Sequence, residues 1–243
     1  MRWGRRAAAV AEAGALPRTS IELRDVSHSY GDRAVLHDVT IRLGEARVGV
    51  VGANGSGKST FARLLNGLVI PSAGSVLVDG LDTRTRLREV RRRVGFVFQD
   101  PDAQIVHPTV AEDVEFGLTN LGVDADERAR RVDDVLTRYG LAGHRDHPAH
   151  LLSGGQKQLL AIAGVLVMRP QRVVFDEPTT LLDLANTRRI ARVIDELEQD
   201  VVVVTHHLDL LAGFDRVLVF EDGRVAADGA PAETLRWYVD RLS

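Results

Sequence analysis

Cysteine is missing from all 243 residues, which excludes disulfides, thiolate zinc sites and a cysteine nucleophile together. Lysine is nearly missing too, with only Lys58 and Lys157 in an arginine-rich chain. A compact ammonium kept at Lys58 therefore marks a place that wants a point charge rather than a planar fork. No long apolar run is present either. The longest, Leu159 to Met168, is half of the roughly 20 residues that span a bilayer, so a membrane role would need a membrane-spanning partner. Surplus positive charge is absent as well: the formal net charge is −3, which leaves no basic footprint for nucleic acid. What the chain does have is length and 44% hydrophobic content, enough for one large domain or a domain with a lobe.

The chemistry concentrates first in Gly52-Ala53-Asn54-Gly55-Ser56-Gly57-Lys58-Ser59-Thr60. An apolar run, Val48 to Val51, precedes it, and Phe61, Leu64, Leu65 and Leu68 follow at helical spacing. Strand, glycine turn and helix in that order are the context of a phosphate-binding P-loop. Glycines let backbone N–H groups converge on phosphates, and the helix N-terminus adds partial positive charge. Lys58 would reach the β- and γ-phosphates, and the Ser59 hydroxyl would take a place on Mg²⁺.

Before the P-loop, residues 1–20 read as an extension outside the fold, since Glu12 interrupts the apolar stretch that a secretory leader would need. From Ile21, alternation through Leu23, Val26, Tyr30, a Gly31-Asp32 turn, Val35, Val39, Ile41 and Leu43 predicts an antiparallel β layer. Tyr30 is either a platform for an adenine face or an ordinary half-buried strand aromatic. After the P-loop helix, strands are expected at Ser75–Val78 and Val94–Phe98, separated by arginines (Arg84, Arg86, Arg88, Arg91 to Arg93) that read as a solvated face. A helical lobe follows over about 101–165. Thr109 and Glu112 form a capping box ahead of Val114, Phe116 and Leu118. A second helix carries Val132, Val135, Leu136 and Tyr139 and ends at Gly140. His144, His147 and His150 tempt a metal reading, but Pro148 breaks their alignment, and they read as loop histidines.

Leu152-Ser153-Gly154-Gly155-Gln156 then heads the helix of Leu159, Ile162 and Leu166. Ser153 and Gln156 satisfy a capping pattern, yet capping does not ask for two glycines. Bare N–H groups at a helix start suit a phosphate, so the chain holds two candidate anion sites. Arg172 to Glu177 is a buried strand ending in two acids, at the edge where ligands of open α/β sheets gather. Asp176 would hold Mg²⁺, mainly through water, and Glu177 would accept a proton from the attacking water. A helix with Ile190, Val193, Ile194 and Leu197 leads to the strand Val201–Thr205, then His206 and His207. A last strand, Arg216–Phe220, and a helix over Pro231–Leu242 close the α/β sheet.

Together these residues resemble the ATP-binding cassette ATPases over Ile21 to about Gly229. The resemblance implies an ATP-hydrolysing domain over 21–243, a P-loop core with a mostly parallel sheet and flanking helices. An antiparallel β layer and the inserted helical subdomain would be added to it. It implies that Tyr30 and Asn54 to Thr60 bind ATP, that Gln99 senses Mg²⁺ and the water, and that His206 is the switch histidine. Ser153 to Gln156 would be the signature, and Asp183 the aspartate of the loop crossing the dimer. Two departures stand out: Leu181 and Leu182 occupy a crossing loop that usually has smaller residues, and His207 stands where aspartate is common.

Phe98-Gln99-Asp100-Pro101-Asp102-Ala103-Gln104-Ile105 and Val110 to Val114 are similar to the energy-coupling-factor (ECF) importers, and within them the short chain and Asp176-Glu177-Pro178-Thr179-Thr180-Leu181-Leu182-Asp183 look most like those for biotin, with cobalt or nickel next. This implies a homodimer on the cytoplasmic face of a membrane, with a transmembrane subunit and a substrate-binding subunit as partners and no nucleic acid. Asp100, Asp102, Glu112 and Asp113 would either receive arginines from that partner or form a solvated acidic surface. Cassette proteins acting on DNA usually insert long coiled coils between P-loop and signature, and ribosome-acting ones carry two cassettes. A small-molecule kinase would leave the second glycine-rich helix start unused.

Overall fold

The computed structural model describes residues 19–242. Alternating burial from Ile21 onward produces strand β1 (Ile21–Tyr30), which pairs antiparallel with β2 (Arg33–Leu43). Strand β3 (Arg47–Gly52) is apolar and buried almost throughout, and it runs into helix α1 (Lys58–Leu64) through Gly57. Gly57 has φ of 101°, a left-handed conformation that glycine adopts without a Cβ penalty. Strands β4 (Ala73–Val78) and β5 (Leu81–Asp82) complete a four-stranded antiparallel sheet in the order β2-β1-β4-β5. Helix α2 (Leu87–Arg93) lies where the sequence shows only an arginine run. Its one buried residue is Val90, so it has no apolar period to read. Strand β6 (Val94–Val97) follows.

Between β6 and β7 the chain forms three longer helices. Helix α3 (Val110–Asn120) starts at the Thr109–Glu112 capping box, with both reciprocal bonds made. Val114 and Leu118 are buried, whereas Phe116 points outward against His107, with ring centroids 4.7 Å apart. Helix α4 (Ala125–Arg138) buries Val132, Val135 and Leu136. Helix α5 (Gly154–Leu166) is buried along most of its length and joins the core of the lobe to that of the large sheet.

Strand β7 (Arg172–Asp176), helix α6 (Leu184–Asp195), strands β8 (Asp200–Val204), β9 (Arg216–Glu221) and β10 (Arg224–Gly229), and helix α7 (Pro231–Leu242) complete the chain. The six-stranded sheet has the order β10-β9-β3-β8-β7-β6, parallel except for the β10–β9 edge pair. Strands β7 and β8 are buried at every position, as expected for parallel strands covered on both faces.

The expected extension over 1–20 needs its boundary moved. Residues 1–18 lie outside the described residues, but Thr19 is fully buried and donates its N–H to Asp200 Oδ2 at 3.0 Å. The Arg172 guanidinium donates to Thr19 O at 2.8 Å, Glu45 O at 3.0 Å and Asp200 Oδ2 at 3.1 Å. A buried ion pair therefore ties the first described residue to β7 and β8.

Candidate active site

Parallel register brings the distant motifs to one edge. Val50 and Asp176 both stand opposite Val204, and Val97 stands opposite Phe175. The turns after β3, β6, β7 and β8 therefore open side by side, carrying the P-loop, Gln99, Glu177 and His206. The ladder continues past the strand ends, with Glu177 N–H donating to Val204 O at 2.9 Å and Thr205 N–H to Val50 O at 3.1 Å. Tyr30 and Leu36 belong to the β1–β2 hairpin, whose Leu36 packs so closely on the P-loop that a Cβ at Gly57 would meet Leu36 Cδ2 at 2.7 Å. Tyr30 is 48% exposed, and its ring meets His28 edge-to-face with centroids 4.7 Å apart.

Within the P-loop, Lys58 Nζ donates to Gly52 O and Ala53 O, both at 2.8 Å. Burial pulls its pKa below the usual lysine value, against the opposing pull of Glu177 and Asp176. Ser56 Oγ is buried with no hydrogen-bond partner, and Gly55 faces open space. An unsatisfied buried hydroxyl beside a bare glycine fits a phosphate acceptor entering the loop. Ser59 Oγ donates to Asp176 Oδ1 at 2.9 Å. Burial raises the Asp176 pKa, and the Ser59 bond, Arg63 and Lys58 oppose the shift. The Arg63 guanidinium stands 3.8 Å from Asp176 Oδ2. Sequence reading passed over Arg63, although it lies four residues after Ser59 on α1 and so shares its face.

Glu177 takes φ of 50° at the end of β7. Its Oε2 accepts His206 N–H at 3.3 Å and the Thr180 hydroxyl at 3.4 Å. Its Oε1 is buried without a hydrogen bond, although His206 Nε2 stands 3.0 Å away. A carboxylate oxygen with free acceptor capacity beside a histidine can take a proton. Gln99 lies two residues past Val97 with its side chain exposed. Gln104, named in the sequence only as part of the Phe98–Ile105 motif, accepts Phe98 N–H at 3.0 Å and donates to Ala161 O at 3.0 Å. It straps the turn after β6 to α5.

Ser153 to Gln156 are not brought to this edge. Ser153 caps α5, and the neighbours of the segment are His144, Leu182 and Asn186. The two glycines differ: a Cβ on Gly155 would meet Asn186 Oδ1 at 2.2 Å, whereas one on Gly154 would meet only Leu182 Cδ2 at 3.9 Å. Gly155 is explained by packing inside the chain. Gly154 is not. Asp183 caps α6, accepting Asn186 N–H at 2.8 Å and its side-chain amide at 3.0 Å. Beside it Leu181 is 94% exposed at φ of 68°.

The four acids of the expected groove already bond within the chain. Asp100 accepts Asp102 N–H, Asp102 pairs with Lys157 at 2.7 Å, Glu112 closes its capping box, and Asp113 accepts the N–H groups of Val106 and His107. Among the described residues no group of three or more histidines and acids is arranged to hold a metal by itself. No described helix is long and apolar enough to cross a membrane.

A family model described as "ABC transporter" matches residues 36–180. An ABC transporter ATP-binding protein of Deinococcus radiodurans is 63% identical over 223 residues, covering 92% of this chain and 99% of that one. The biotin transport ATP-binding protein BioM of Rhizobium etli is 44% identical over 219 residues, covering 90% and 97%. The solved structure of cbiO1 from Clostridium perfringens, part of the ABC transporter complex cbiONQ, superposes with a TM-score of 0.79 at 34% identity, over 93% and 94% of the two chains. With the P-loop, the paired acids and the histidine on one edge of the same α/β fold, the chain belongs to the ABC transporter family as an ATP-hydrolysing cassette.

Proposed function

We propose that this chain powers an energy-coupling-factor importer, hydrolysing ATP at two sites shared head to tail between two copies. The observation that carries the reading is Gly154. It is a bare, exposed helix start with room for a Cβ at ordinary contact distance from Leu182, and no bond ties it to the groups at the strand edge. A second copy would bring it to the phosphates held by the first copy's P-loop.

In each site the P-loop N–H groups and Lys58 hold the β- and γ-phosphates, and Tyr30 stacks on adenine. Glu177 takes the proton of the attacking water, with His206 beside it and Gln99 orienting that water. Ser59, Asp176 and Gln99 offer the oxygen donors that a hard cation prefers, so they suit Mg²⁺. When bound, the cation supplies charge neutralisation on the phosphates. Asp183 caps α6 next to the partner's contact surface. The motifs around Gln99 and Glu112 support the ECF assignment, and the BioM relative supports biotin as cargo. The partners are a transmembrane and a substrate-binding subunit, which would hold the chain at the cytoplasmic face of the membrane.

The test combines one variant with one purification. Glu177→Gln keeps ATP binding and lowers turnover by about 10²–10⁴, the range of general-base catalysis. Affinity purification from membranes brings down two small integral subunits, and the purified complex retains biotin. Normal turnover in the variant ends the base assignment, co-purifying ribosomes or DNA end the importer reading, and retained cobalt or nickel reassigns the cargo.

A further inference from the structure

The spacing of His144, His147 and His150 reads as that of loop histidines, yet the structure bonds His144 to the signature. Ser153 N–H donates to Gln156 Oε1 at 2.9 Å, so the oxygen of that amide faces Ser153. Its nitrogen then faces His144, with Gln156 Nε2 and His144 Nε2 3.1 Å apart. A primary amide nitrogen only donates. His144 Nε2 is therefore the acceptor of this bond. The ring's Nδ1 is buried without a partner.

The other half of the capping box is long. Gln156 N–H reaches Ser153 Oγ only at 3.4 Å, so the Gln156 side chain is the tighter clamp on Ser153 and leaves the hydroxyl lightly engaged. The short turn that carries His144 is itself anchored, since Arg145 pairs with Asp133 on α4 and the His144 and His147 rings meet at 5.2 Å.

We propose that His144 is a positioning residue for the signature. As a hydrogen-bond acceptor it fixes the Gln156 amide, and through it the Ser153 backbone and the exposed N-terminus of α5, in the orientation that meets the partner copy's nucleotide. This rests on the reading that Ser153 to Gln156 complete the partner's site.

Glutamine can place an acceptor oxygen near the Nε2 position, whereas leucine cannot, so the pair separates bonding from bulk. ATP turnover of the purified full chain is measured for His144→Leu, His144→Gln and Ser153→Ala, with melting curves for each. Loss of one hydrogen bond of ordinary strength lowers kcat in His144→Leu by about two- to tenfold, with little change in KM, and His144→Gln restores it. If Ser153→Ala turns over normally, the signature reading itself fails. If Ser153→Ala is impaired while His144→Leu is not, the positioning role is overturned. It is also overturned if His144→Leu and His144→Gln are impaired equally, or if only the melting temperature moves. Should His144→Leu not fold, His144→Gln at wild-type turnover beside an impaired His144→Phe supports the role, and equal turnover of those two overturns it.

Discussion

Replacing each signature glycine by alanine separates fold from function at adjacent positions. At Gly155 the new Cβ would meet Asn186 Oδ1 at 2.2 Å and Asn186 Cγ at 2.4 Å, and Asn186 is held by Asp183 at 3.0 Å. Forcing that side chain away overpacks the site, at about 1–3 kcal/mol. At Gly154 the nearest atom beyond the local backbone is Leu182 Cδ2 at 3.9 Å, an ordinary contact. Alanine there carries no steric cost and gains up to about 1 kcal/mol of helix propensity. In a domain of this size each kcal/mol moves the melting temperature by about 2–4 °C. Gly155→Ala should therefore melt several degrees below the wild type, and Gly154→Ala at or slightly above it. Activity should run the other way for Gly154→Ala: ATP-dependent dimerisation and phosphate release fall although the monomer is as stable as before. Calorimetry, size-exclusion chromatography with ATP and a phosphate-release assay read all three quantities. A stable Gly154→Ala with undiminished turnover would refute the shared-site reasoning, and a destabilised one would refute the packing argument.

Asp176→Asn removes a carboxylate whose charged form is disfavoured by burial, while the amide oxygen can still accept from Ser59. The nucleotide-free protein should melt about 2–4 °C higher, the shift that 1 kcal/mol produces here, and hydrolysis should collapse; a lower melting temperature would contradict the burial argument. Arg172→Met strips the buried Asp200 of its ion-pair partner and, among the described residues, leaves it the Thr19 N–H as its hydrogen-bond donor. Breaking such a pair costs about 3–5 kcal/mol, expected as a fall of roughly 6–20 °C in melting temperature, and an unchanged melt would show that the pair contributes nothing net.

Patterns that act over a few residues were legible without coordinates. Val201 to Val204 read as a buried strand because a parallel strand covered on both faces shows unbroken apolar residues. The capping boxes at Thr109 and Ser153 were legible because donor and acceptor lie three residues apart on one helix start. The P-loop was legible because its strand, turn and helix are contiguous. Helix α2 was not, since a short helix burying only Val90 leaves no period. Nor were the states of side chains that meet across elements. The intrachain bonds of Asp100 and Asp102, to the Asp102 N–H and to Lys157, come from contacts no spacing announces, and Gly155 is bare because Asn186 packs on it. His144 is bonded to Gln156 from a separate turn. Composition and local spacing thus marked most of the longer elements and the motifs that could do chemistry. Only the folded chain decided which of those groups are already satisfied and which remain open, because hydrogen bonds and close packing depend on how distant segments are brought together.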